Sequence, residues 1–130
     1  PENEIMLNCD EGSMHISPDM VVFCEAVGKK THVHLRDKVI VCNSGISAVK
    51  NMLPEEFVFC HRSYIVNMRY VRSIGKTDIM LDSGENIPLS RRLYKEVNER
   101  FIQYYTKEQI TYDYWRTCAK SKGYGWWGSV

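Results

Sequence analysis

Along the chain, apolar residues come in short runs of strand length separated by turn-forming residues, and at only two places do they recur at helical spacing. The pattern predicts a mostly β fold with two helices. Met20 to Cys24 is a β-rich run that follows the turn formers Ser17, Pro18 and Asp19 and is closed by Gly28. Thr31 to Leu35 and Lys38 to Cys42 face each other across Arg36 and Asp37, a connection short enough for an antiparallel hairpin. Asn43 or Ser44 is placed to cap a first helix, on which Ile46, Val49 and Leu53 share a face before Pro54 stops it. The β rhythm resumes with Phe57 to Phe59 and Tyr64 to Val66, a turn at Asn67, Met68 and Arg69, and a run from Tyr70 to Ile74. Gly75 to Thr77 and Asp82 to Gly84 then punctuate Ile79 to Leu81 and Ile87 to Leu89. Pro88 removes a ladder donor, which predicts an edge strand or a strand end. Ser90 is the expected N-cap of a second helix, where Leu93, Val97, Phe101 and Tyr104 or Tyr105 make one apolar stripe as far as about Thr106.

Composition narrows the class. At 130 residues, 44% hydrophobic and 25% charged, the chain has the size and balance of one ordinary soluble domain. No apolar run approaches the roughly 18 uncharged residues of a membrane helix. The first twenty residues carry five acids and no base, the wrong sign for a secretion signal, so a cytoplasmic location is expected. Five cysteines without a CxxC pair are read as reduced thiols, most of them small buried hydrophobes. The net charge of +1 hides an asymmetry: residues 90–130 hold eight bases against four acids, so a local cationic surface is available without a polycationic chain.

Three polar segments break the apolar pattern. Arg91 and Arg92, after Ser90, fall in the first turn of the second helix, where the macrodipole prefers negative charge by about 0.3–1 kcal/mol per group. An anionic ligand reverses that sign, since backbone amides and two guanidinium groups then share one target. Arg91 also has the fork needed to read a guanine edge. His61, Arg62 and Ser63 interrupt two apolar runs; if the strand continues through them, His61 and Ser63 share one face while Arg62 and Tyr64 share the other. Lys29, Lys30, Thr31 and His32 form a basic loop with the side chains that phosphate contacts use. Each segment alone is equally compatible with solvated cations and, at His61, with a structural histidine.

Signals for catalysis are weak. Cys60 and His61 are adjacent and point apart in a strand, a poor nucleophile and base pair. His32 and His34 share a face, yet no spacing matches a zinc signature, and there is no glycine-rich phosphate loop, GxSxG or HExxH. No catalytic residue, metal site or cofactor is expected.

The C-terminal segment is aromatic: Tyr112, Tyr114, Trp115, Tyr124, Trp126 and Trp127 lie among Gly123, Gly125 and Gly128. Such side chains bury large areas. The expected organisation is a domain over 1–107 and an extension over 108–130 that folds back over an exposed sheet face; a dimer contact, a partner site and disorder at the last residues are the alternatives.

Taken together, the residues resemble the LytTR DNA-binding domains that end many bacterial response regulators, from about Ile5 to Phe101. The segments that carry the resemblance are DMVVFCEAVGKKTHVHL, FVFCHRSYIVN and SGENIPLSRRLYKEV. Phe59 departs from the family, which usually has arginine or lysine there. The resemblance implies an elongated, mostly antiparallel β fold that lies along duplex DNA and inserts loops into successive major grooves. By position it assigns the first reading loop to Lys29, Lys30, Thr31 and His32, the second to Arg62 with His61 and Ser63 nearby, and the third to Arg91, beside Arg92. Asn67 and Ser90 look like structural members, holding a turn and capping the helix. It further implies a sequence-specific transcription regulator, bound as two copies to promoter direct repeats and controlled by an upstream receiver domain. The chain lacks the length for that receiver, so an excised effector domain or a stand-alone regulator is expected, and the start at Pro1 favours excision. The rival expectation is a β-rich interaction or dimerisation module that uses the aromatic tail.

Overall fold

The computed structural model describes residues 4–106. The described residues form ten strands and two helices: β1 (Ile5–Cys9), β2 (Gly12–Ile16), β3 (Val21–Val27), β4 (Lys30–Leu35), β5 (Val39–Cys42), α1 (Ile46–Met52), β6 (Phe57–His61), β7 (Tyr64–Asn67), β8 (Val71–Ile74), β9 (Asp78–Leu81), β10 (Asn86–Pro88), and a helix over 94–106, here α2. Short 3-10 turns occupy Pro18–Met20, Met68–Tyr70 and Arg91–Leu93. The fold is therefore mostly antiparallel β with two helices, as the periodicity predicts. The N-terminal hairpin of β1 and β2 has no counterpart in that expectation, because Asn8, Ser13 and His15 dilute its apolar alternation.

One sheet has seven strands in the order β2-β1-β5-β4-β3-β7-β6; a second has three, β10-β9-β8, with the Pro88 strand at its edge. Because side chains alternate across a strand, each of β3, β6 and β7 feeds two cores. Cys24, Phe57 and Ile65 join Val33, Leu35, Ile40 and Cys42 under Val49 and Leu53 of the α1 region. Phe23, Val58, Cys60 and Val66 meet Val71, Ile79, Leu81 and Ile87 of the small sheet and Val97 of α2 on the opposite face. Phe59 turns to the first core, so it presents an apolar ring there.

Two caps differ from expectation. The N-cap of α1 is Gly45, without a side-chain bond, while the Ser44 carbonyl accepts the Thr31 hydroxyl at 2.8 Å. Ser90 does precede the 3-10 turn, yet its hydroxyl makes no cap bond; its carbonyl accepts from Leu93 N–H instead.

Cys9, Cys24, Cys42 and Cys60 are free thiols, and the last three are buried; Cys118 and the aromatic extension lie outside the described residues. Burial pushes the Cys24 and Cys60 thiols up to about 12. Since the thiolate is the reactive form, both are expected to resist iodoacetamide at pH 8 in the folded chain and to react on addition of urea. Peptide mass mapping checks this.

Candidate nucleic-acid interface

The β3–β4 connection is the two-residue turn Gly28-Lys29, and Gly28 has φ +62°, a left-handed conformation that a side chain would strain. The turn leaves Lys29 exposed at its tip. β6 and β7 are joined by an equally short turn, Arg62-Ser63, at the same end of the sheet, because β3 pairs with β7 through Glu25 and Tyr64 and Ala26 N–H donates to the Ser63 carbonyl at 2.8 Å. Ser90 N–H donates to the Cys60 carbonyl at 2.8 Å, which fixes the Arg91–Leu93 turn beside β6. The three polar segments therefore follow one another along one edge. With strands about 4.8 Å apart, the first two tips stand about 10 Å apart, and the third lies beyond β6 on the same line.

The side chains are not equivalent. Lys29, Arg62, Arg91 and Arg92 are exposed and form no ion pair with a described residue. Lys30 is held by Asp10 at 3.0 Å, and that bond keeps the Asp10 carboxyl below its ordinary value. His32 is half-buried on β4, opposite Glu25 and Val41. Thr31 corrects the sequence reading. It points into the α1 core, is fully buried, and gives its hydroxyl to Ser44, so no Thr31 side chain is offered at the surface. Thr31→Val is expected to cost about 1–2 kcal/mol in a urea titration, while leaving any preference among DNA sequences unchanged.

His61 also departs from the expected alternation. The strand does not run through Arg62 and Ser63 but turns there, so His61 pairs with Tyr64, the two rings edge to face at 5.7 Å. Its Nδ1 accepts the Ser63 N–H at 3.1 Å, which braces the turn under Arg62. Beneath lies Glu25, which accepts the Tyr64 hydroxyl at 2.8 Å and contacts His34 Nε2 at 3.3 Å. The Glu25 bond raises the Tyr64 phenol above its ordinary value. These contacts lock β3 to β7, hence the first tip to the second.

Lys76 was missed by the sequence reading. Thr77 carbonyl accepts Leu89 N–H at 3.0 Å, placing the Gly75–Thr77 turn against the residue that precedes Ser90, and Lys76 Nζ lies 5.0 Å from the Tyr94 ring centre. A lone lysine in a glycine turn carries no signal until the small sheet is docked. No cluster of three or more histidine, cysteine or acidic side chains suited to a metal occurs among the described residues, and no described helix is long and apolar enough to cross a membrane.

Comparison with known proteins gives the family. The chain is similar, at 25% identity and a TM-score of 0.65, to the solved LytTr DNA-binding domain of a Bacillus cereus protein described as a methyl-accepting/DNA response regulator, covering 78% of this chain and 98% of that one. An uncharacterized response regulatory protein of Vibrio cholerae serotype O1 is 38% identical over 47 residues, which span 32% of this chain and 20% of that protein, so the chain covers about a fifth of that relative's length. The family model described as the LytTr DNA-binding domain matches residues 11–102, most of the described chain, and this chain belongs to that family.

Proposed function

We propose that this chain is the DNA-binding effector domain of a transcriptional response regulator, acting without catalysis. The observation that carries the reading is the single edge along which Lys29, Arg62 and Arg91 stand exposed and without a carboxylate partner among the described residues. Cations on such a line match the regular spacing of phosphates on a duplex and release its counterions.

In this reading the edge lies along the double helix. Lys29, with Lys30 and His32 behind it, forms one contact; Arg62, braced by His61 and Ser63, forms the second; Arg91 and Arg92 form the third, extended by Lys76. Arg91 reads base edges with its fork, and the lysines hold phosphates. The outer tips reach toward successive major grooves, about 34 Å apart on one face of the duplex, through their long side chains. Two copies on a direct repeat bring two such edges to one side of a promoter, and a receiver module supplies the signal.

Selection of bound sites from random duplex DNA tests the proposal: a recovered consensus containing a repeated half-site supports it, and recovery of unenriched sequence overturns it. Lys29→Ala is expected to weaken binding uniformly across sequences. The slope of log K against log salt should become shallower by about one unit.

A further inference from the structure

The two faces of the seven-stranded sheet are covered unequally. On the second face, the small sheet and α2 cover β3, β6 and β7; their core includes Phe23 of β3 and no residue of β4 or β5. Beyond β3 no described residue packs a core on this face, and β5 presents Val39 and Val41 there, 49% and 36% exposed, in register with His34 and His32. Where covered and open parts meet runs a groove of about 380 Å³, lined by Val22, Phe23, His34, Arg36, Tyr70 and Glu85 among others. That volume admits an indole or phenol ring, and its lining mixes Val22, Phe23 and Leu81 with Arg36, Asp82 and Glu85.

The chain itself carries a segment suited to this surface. Twenty-four residues, 107–130, follow α2 and hold six aromatic side chains, including all three tryptophans of the protein. They follow α2, whose Tyr105 hydroxyl donates to the Met68 carbonyl at 2.8 Å and lies 3.4 Å from that of Val71, on either side of the groove residue Tyr70. A chain of this length reaches up to about 80 Å when extended, against about 4.8 Å per strand to be crossed.

We propose that residues 107–130 fold back through this groove and onto the open face of β4 and β5, seating aromatic rings against Val39 and beside His34. Attachment next to the groove gives the segment a local concentration in the millimolar range, which a second copy of the chain does not have. The path runs over the end of the sheet remote from Lys29, Arg62 and Arg91, so the edge proposed to meet DNA stays clear.

Because all three tryptophans lie in this segment, the fluorescence of the full chain reports its seat without any added label. The expected result is emission blue-shifted from that of free N-acetyltryptophanamide, with acrylamide quenching several-fold weaker, both unchanged on hundredfold dilution. Val39→Glu, at a half-exposed position where the fold tolerates a charge, should shift emission to the red and raise quenching at least twofold, with far-UV circular dichroism preserved. Quenching of the unaltered chain equal to that of the free indole overturns the proposal. So does protection that vanishes on dilution, the signature of a second copy on this face, or protection that Val39→Glu leaves intact in a folded chain. None of these readouts uses DNA, so failure here and failure of the DNA-binding reading are separable.

Discussion

Replacing Arg91 by alanine is expected to lower affinity for a selected DNA site about 5- to 150-fold, the equivalent of about 1–3 kcal/mol for one two-pronged base contact. Binding to unrelated duplex should fall far less, since only one cation among several is removed. Arg91 is exposed on the 3-10 turn ahead of α2, with no ion pair to a described residue, so its loss leaves the core intact. Arg91→Lys separates charge from geometry: the ammonium keeps the attraction for phosphate and loses the fork. Mobility-shift titrations on a selected and a scrambled site, with both variants, make the measurement. Equal affinity and equal preference in Arg91→Ala remove the residue from the interface.

Asn67→Ala should have the largest effect on stability. Asn67 is buried at the end of β7, donates from Nδ2 to the Val21 carbonyl at 2.9 Å, and accepts Arg69 N–H on Oδ1 at 3.0 Å. One amide thus closes the Met68–Tyr70 turn and ties it to β3, where the pairing with β4 slips between Val21 and Phe23. An alanine leaves a carbonyl and an N–H unpaired in the interior and opens a small void. The expected cost is about 2–4 kcal/mol, read as a lower urea midpoint. Both cores depend on β3, so the change should lower the transition as a whole and leave a single step.

Much of the architecture was legible in the residues because short elements with one buried face announce themselves. The alternation in Thr31 to Leu35 and the Arg36-Asp37 turn foretold the β4–β5 hairpin, and the 3.6-residue stripe from Leu93 to Tyr104 foretold α2. Asn67 was legible as a turn holder, but its bond to Val21, 46 residues earlier, was not. Failures came where a local rule was overridden. The alternation that puts His61 and Ser63 on one face fails, because the chain reverses at Arg62 and Ser63, where two apolar runs of near-equal length pair with each other. Thr31 reads as a loop hydroxyl, and its place in β4 sends it inward to the Ser44 carbonyl before α1.

The sequence by itself determined the element types from β3 onward, the short turns and the cationic character of three of them, because periodicity and turn chemistry act over a few residues. Only the tertiary structure decided that those turns share one edge, that Lys76 joins them, that Lys30 pairs with Asp10, and that among the described residues the second core stops at β3. Strand order and face coverage arise from contacts between residues tens of positions apart. Local pattern is silent on which partner a strand will choose when several are equally apolar.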